Sequence, residues 1–274
     1  MKAIISHDVD HITVWEHKDL IVPKFLVKST IEAFSRTISP KDYLLRYKEI
    51  ARNKWQNIEE LIEFNKKNSI PSTFFLGVNH GVGLVYSLQN AKKWAQKIIS
   101  LGYDAGVHGI AYDDLQMMQK EHDTFKEISN LENFGIRMHY LRNDPNTITN
   151  LSKCGYLFDS TVYEIKNPYK VGDMWEFPLH IMDGYEIFQG KPWQYLKIEK
   201  IKDLTKQKIE NIEKEGIEYL SILFHDRYFN ESFSTWMEWY FFVIDYLKTN
   251  NIELISYREA IKELEDETSD NHRG

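Results

Sequence analysis

Lys97-Ile98-Ile99-Ser100-Leu101-Gly102 leads into Tyr103-Asp104-Ala105-Gly106-Val107 and then His108, and this stretch is the key to the fold. A polar, helix-like segment closes on glycine, a short apolar run follows, and a histidine stands at its end. The same device recurs at Leu131-Glu132-Asn133-Phe134-Gly135 before Ile136–Tyr140, and at Ser152-Lys153-Cys154-Gly155 before Tyr156–Phe158. Glu213-Lys214-Glu215-Gly216 before Ile217–Phe224 is a further copy. Asn68 before Ile70–Leu76 and Asn251 before Ile252–Ile255 use asparagine in the glycine's place. A helix ends well on a residue at positive φ, which Gly accepts freely and Asn tolerates.

Helix starts can also be read. Asp144-Pro145 places an acid at the N-cap before proline in the first turn, and Thr235-Trp236-Met237-Glu238 reads as a capping box opening a helix through Leu247. The spacing of Leu115, Met118, Phe125 and Ile128 predicts a helix over about 113–133. Helices alternating with short strands imply parallel units joined by right-handed crossovers. Six or seven such units suggest an α/β fold, a closed or distorted (β/α) barrel, with an open doubly wound sheet as the alternative. No G-x-G-x-x-G or phosphate-loop pattern follows the first strand, which counts against nucleotide binding. The long stretch from about 15 to 69, interrupted by Pro23 and Pro40, reads as an insertion filled mostly by a helix over about 42–67. One domain over 1–262 is expected, with a polar tail at 263–274 that frays.

The chain has 274 residues, 42% of them hydrophobic and 27% charged, within the range of ordinary globular proteins. Its net charge of −7 argues against a nucleic-acid partner, which would call for an excess of Lys and Arg. A lone cysteine, Cys154, rules out a disulfide within the chain and fits a reducing compartment. An acid at Asp8 interrupts any signal-like start, and no apolar run approaches the roughly 20 residues of a membrane span. These features together predict a cytoplasmic chain with no transmembrane segment.

In parallel β/α architectures the loops after the strands converge on one mouth. His7, Asp8, Asp10 and His11 follow the first predicted strand, His80 follows the second, and His108 the third. Arg137, His139 and Arg142 come after Gly135, His180 and Asp183 after Trp175–Pro178, and His225 and Asp226 after Leu220–Phe224. One histidine at a strand end is usually a hydrogen-bonded structural residue; six at equivalent positions favour a metal or acid–base site. In Asp8-Val9-Asp10 both carboxylates point to one face of a strand. Crowded carboxylates repel unless a cation lies between them or one is protonated, and a helix cap or an arginine partner would also relieve them.

These residues resemble the polysaccharide deacetylase family, the NodB-like metal-dependent de-N-acetylases built on a distorted (β/α) barrel. Ser6-His7-Asp8-Val9-Asp10 is similar to the family's first motif, which implies that Asp8 is the catalytic base and Asp10 a metal ligand. Ile70-Pro71-Ser72-Thr73-Phe74-Phe75 resembles the second strand, and Gly106-Val107-His108-Gly109 the start of the second motif, with His108 a ligand. Arg137 falls where the family's arginine orients the base, Phe158-Asp159-Ser160 resembles the fourth motif, and Leu223-Phe224-His225 the fifth, whose histidine protonates the departing amine. The Arg137–Arg142 segment and the His-Asp-Val-Asp opening look more like a bacterial surface-polysaccharide subgroup than like chitin deacetylases.

The resemblance departs at one position. The family's H-x-x-x-H pattern reads His108…Tyr112 here, so the third ligand is His139, His80, His180 or Tyr112 itself. His139 is the choice adopted, with Tyr112, Arg142 and Asp183 assigned to substrate. The resemblance implies a divalent cofactor, Zn²⁺ above others, and hydrolysis of an N-acetylated sugar or polysaccharide precursor to acetate and an amino sugar. His225 would act as the acid, oriented by Asp159 or Asp226, and Trp15, Trp175 and Trp193 are candidates for sugar stacking. The alternatives are a degenerate barrel that binds carbohydrate or a partner without turnover, and a hydrolase of cyclic imides or other C–N bonds.

Overall fold

Strand β1 (Lys2–Val9) is the centre of the computed structural model, which describes residues 1–19 and 21–271. Three helices follow, α1 (Ile21–Phe34), α2 (Pro40–Ala51) and α3 (Ile58–Lys67), and then β2 (Ser72–Leu76) and α4 (Leu88–Ser100). The middle of the chain runs through β3 (Asp104–Gly109), α5 (Leu115–Ser129), β4 (Ile136–Met138), α6 (Thr147–Cys154) and β5 (Phe158–Asp159). Short elements come next: β6 (Tyr169–Val171), β7 (Met174–Glu176), β8 (Ile181–Met182), α7 (Asp183–Ile187), β9 (Phe188–Gln189) and β10 (Lys191–Tyr195). The chain ends with α8 (Ile198–Lys214), β11 (Tyr219–Leu223), α9 (Ser234–Thr249), β12 (Glu253–Ile255) and α10 (Tyr257–Asn271).

The main sheet has the order β6-β7-β5-β4-β3-β2-β1-β11-β8, parallel except at β6, and β12 pairs with the start of β1. It curls into a distorted barrel rather than an open doubly wound sheet. An isolated Tyr163–Leu179 bridge joins the segment after β5 to the segment before β8, in place of a full ladder. Alternation along β1 separates two cores. Ala3, Ile5 and Val9 face the helices, whereas Ile4 joins Phe75, Phe158, Phe177 and Tyr257 inside the barrel. Ser6 and Asp8 share Ile4's face, so the interior is apolar at its base and polar towards the carboxyl ends of the strands.

Several element boundaries differ from expectation. The left-handed cap of α5 is Asn130 (φ 59°), and Gly135 serves packing instead: a Cβ there would sit 2.2 Å from the Phe158 ring. A Cβ on Gly106 would lie 2.5 Å from the Gly135 carbonyl oxygen, so glycine lets β3 and β4 approach. The Asp144 carboxylate accepts the N–H groups of Asn146 and Thr147 at 2.7 and 2.8 Å, and α6 therefore starts at Thr147. No capping box forms at Thr235; α9 starts at Ser234, whose hydroxyl donates to Asp42 Oδ2 at 3.0 Å.

The inserted segment is a two-helix hairpin, α1–α2, followed by α3, not one helix over 42–67. A capping box at Ser39 and Asp42 starts α2, and α3 is the crossover helix, with Asn65 donating to His7 Nε2 and Ser72 Oγ, both at 2.9 Å. The polar segment beginning at Glu263 continues α10 to Asn271, anchored where Tyr219 donates to Glu263 and Lys2 pairs with it; positions 272–274 lie outside the described residues. Among the described residues no helix is long and apolar enough to cross a membrane.

Candidate active site

The carboxyl ends of β1, β3, β4 and β11 surround a cavity of about 330 Å³. Asp8, Asp10, His108, His139, Asp183 and His225 all line it. Asp8 is still on β1, but Asp10 has left the sheet. The Val9 carbonyl at the end of the strand accepts the Tyr86 hydroxyl at 2.8 Å.

Asp10, His108 and His139 present ligand atoms within 4.8 Å of one another. Asp10 Oδ1 lies 3.3 Å from both His108 Nε2 and His139 Nδ1, and is buried without a hydrogen-bond partner among the described residues. His108 Nδ1 faces the Arg137 carbonyl at 3.1 Å and His139 Nε2 the Val82 carbonyl at 3.2 Å. A carbonyl only accepts, so each of these nitrogens carries the proton. The other two nitrogens, 2.9 Å apart, then turn lone pairs towards each other in the neutral rings. A cation between them removes the repulsion, and one carboxylate with two imidazoles is a donor set suited to Zn²⁺ and similar ions. The residues present therefore fit a divalent metal. Without a metal, a proton taken up between the rings takes over that role. Burial favours the neutral acid at Asp10, but the charge and hydrogen bonds this proton brings to His139 and His108 outweigh it and hold the carboxyl well below the usual range.

Asp8 has a different partner. Arg137 donates from Nη1 to Asp8 Oδ1 at 2.9 Å, from Nε to the Ser160 carbonyl at 2.9 Å, and from Nη2 to Ser6 Oγ at 2.8 Å. The guanidinium is fully buried over the Phe75 ring, which sets its position from below. Burial alone would raise the Asp8 carboxyl, yet His108 and Arg137 together hold it below its ordinary value.

His225 donates from Nδ1 to Asp183 at 2.9 Å, and Asp183 also accepts the backbone N–H groups of His225 and Gly184. Burial lowers the imidazole, but Asp183 first, then Asp10 and Asp8, outweigh it and raise it to about 10. Asp183 belongs to the cavity wall but is fully buried, with its carboxylate engaged by His225 and two backbone N–H groups. Neither Asp159 nor Asp226 orients His225: Asp159 accepts from Thr161 and Asp226 from the Asn57 N–H.

Tyr112 and Arg142 do not line the cavity; the guanidinium stacks over the Tyr112 ring at 4.1 Å. His80 is engaged with the Tyr86 carbonyl, and His180 accepts the Ser221 N–H while facing the Lys166 carbonyl. Trp15, Trp175 and Trp193 are also absent from the wall, which is built instead from Tyr140, Tyr185, Phe188, Tyr228 and Trp236. Three of these follow His139, Asp183 and His225 within three positions, a local signal the sequence did carry.

Comparison with known proteins agrees with the architecture. No family model and no curated protein matches the sequence. Among solved structures, a Mycobacterium smegmatis protein assigned as a polysaccharide deacetylase aligns at TM-score 0.66 with 14% identity, over 97% of this chain and 91% of that one. A Pseudomonas aeruginosa PAO1 protein assigned the same way gives TM-score 0.61, 16% identity, and 95% and 89% coverage. A Puue allantoinase gives TM-score 0.61, 15% identity, and 94% and 88% coverage. The chain has the (β/α) barrel fold of the polysaccharide deacetylases.

Proposed function

We propose that the chain is a metal-dependent hydrolase that removes an N-acetyl group from a sugar. The reading rests above all on one observation: two imidazole nitrogens 2.9 Å apart, each tied by its other nitrogen to a carbonyl, face an unpartnered Asp10 oxygen. Asp10, His108 and His139 would hold the ion. A divalent metal there would supply Lewis acidity, lowering the pKa of water and polarising the acyl oxygen.

The chain's own side chains divide the proton work. Asp8, ionised and fixed by Arg137, takes the proton of the attacking water. His225 presents Nε2 to the cavity, 3.8 Å from Asp10 Oδ2, and gives its proton to the departing amine. Asp183 keeps the other ring nitrogen protonated and the ring aimed. Tyr140, Tyr185 and Trp236 offer apolar faces to a sugar ring, and about 330 Å³ is at the small end of the usual range of ligand sites.

The decisive experiment is release of acetate from N-acetylhexosamines by zinc-, cobalt- or nickel-loaded protein, beside a panel of cyclic amides and imides. Because an allantoinase shares the fold, turnover of the cyclic panel alone would replace the sugar reading. Bound metal with no turnover of either panel would favour a binding protein.

His139→Ala should weaken binding of one ion per chain by at least about 100-fold, since it removes a ligand rather than a supporting group. Tyr112→His should leave metal binding unchanged, because position 112 lies outside the cavity. Isothermal titration with Zn²⁺ checks both; tighter binding in Tyr112→His would place that residue at the metal after all.

Asp183→Asn should move the alkaline limb of kcat to lower pH. His225 must be protonated to act as the acid, and the carboxylate chiefly raises its pKa, so its removal lets the proton leave earlier. The acid limb, governed by Asp8, should stay in place. An alkaline limb unmoved in Asp183→Asn would show that His225 is not the acid.

A further inference from the structure

We infer that the outward face of the α1–α2 hairpin docks on an anionic lipid surface and holds the cavity mouth near it. The inference is independent of the reaction proposed above. Residues 18–54 contain nine basic and four acidic side chains, in a chain whose net charge is −7. The structure sorts them by side. Glu32, Asp42 and Glu49 are buried: Glu32 pairs with Arg46, Asp42 closes the α2 cap, and Glu49 pairs with Arg227. Lys18, Lys24, Arg36, Lys48 and Arg52 are exposed, as is Lys41, which pairs with Glu231 at 3.4 Å, and Asp19 is the lone exposed acid of the segment.

Between these cations lies apolar surface. Val27, Ile31 and Phe34 follow one another at helical spacing on the side of α1 opposite the buried Ser29 and Glu32. Phe34 is 87% exposed and Val27 61%. On α2, Leu44 is 68% exposed and Tyr47 is also exposed, again opposite the buried Asp42, Arg46 and Glu49. The two helices lie side by side, with the Thr30 and Tyr43 hydroxyls 3.4 Å apart. An apolar stripe with a basic border is the pattern of a helix that lies in a membrane interface.

Charge decides between occupants. A second copy docking by two-fold symmetry would set the basic border against itself. An anionic bilayer complements it, and repels the acidic remainder of the chain, which fixes the orientation. The hairpin also adjoins the mouth: a Cβ on Gly83 would lie 3.4 Å from Ile21 Cδ1 at the start of α1, and the neighbouring Val82 carbonyl holds His139.

The test is sedimentation of the full chain with vesicles of phosphatidylcholine alone or mixed with phosphatidylglycerol. At low salt, binding to the mixed vesicles should exceed that to phosphatidylcholine by at least about tenfold, and high salt should abolish the difference. The exposed double variants Phe34→Ser/Leu44→Ser and Lys24→Glu/Arg36→Glu should each weaken binding about tenfold or more, with thermal melting unchanged. No vesicle binding at low salt would overturn the inference, as would wild-type binding by both variants. A concentration-dependent dimer lost in Phe34→Ser/Leu44→Ser, without vesicle binding, would assign the face to a second copy. Equal binding to a DNA duplex, lost only in the charge variant, would assign it to nucleic acid.

Discussion

Asp8→Asn is expected to lower turnover by about 10⁴-fold, the upper end for loss of a positioned base, while the protein still binds one divalent ion. The amide is nearly isosteric, keeps an oxygen towards Arg137 and removes only the basic site. Asp10→Asn should behave differently and lose the ion together with activity, because Asp10 Oδ1 faces the two imidazole nitrogens. Metal content by atomic emission, measured beside acetate release, separates the two. If Asp8→Asn protein loses its metal, the roles of the two acids are reversed.

Arg137→Met should cost metal-free protein about 3–5 kcal/mol, because it strands a buried carboxylate without its cation. The guanidinium also serves Ser6 and Ser160 and stacks on Phe75, so the methionine cannot replace its contacts. Combining Arg137→Met with Asp8→Asn should return a large part of that loss, since the stranded charge disappears. Urea unfolding of the two single variants and the double variant measures the coupling. A loss below about 1 kcal/mol in Arg137→Met would show that Asp8 is neutral in the metal-free fold.

Much of the architecture was legible because it depends on local chemistry. Gly102, Gly155, Gly216 and Asn251 adopt positive φ where helix ends were read. The alternation read in Asp8-Val9-Asp10 put Asp8 on the side of β1 that meets the barrel interior, although the strand ends at Val9 and Asp10 lies beyond it. What failed was decided by distant partners. Asp183 reads like a strand-end acid open to substrate, yet 42 residues separate it from the His225 it holds. Thr235 has a capping-box sequence, but Ser234 is drawn to Asp42, which lies 192 residues earlier. Tyr112 occupies the position of a motif histidine, but Arg142 stacks on it away from the cavity. The cluster of Asp10, His108 and His139 was reachable from strand-end placement; the carbonyls of Arg137 and Val82 that select its nitrogens were not, because backbone groups carry no sequence signal.

The central position of β1 has a consequence for the order of assembly. Its residues pair with Ser72–Leu76 on one side, Tyr219–Leu223 on the other, and Glu253–Ile255 at its start. On a ribosome, β1 must therefore wait for the segments that begin at Tyr219 and Glu253 before two of its three neighbours exist. Contacts this far apart in sequence close slowly, and an unpaired apolar strand is prone to association in the interval. Asp8 and Asp10 are therefore synthesised long before Asp183 and His225, which complete their native surroundings.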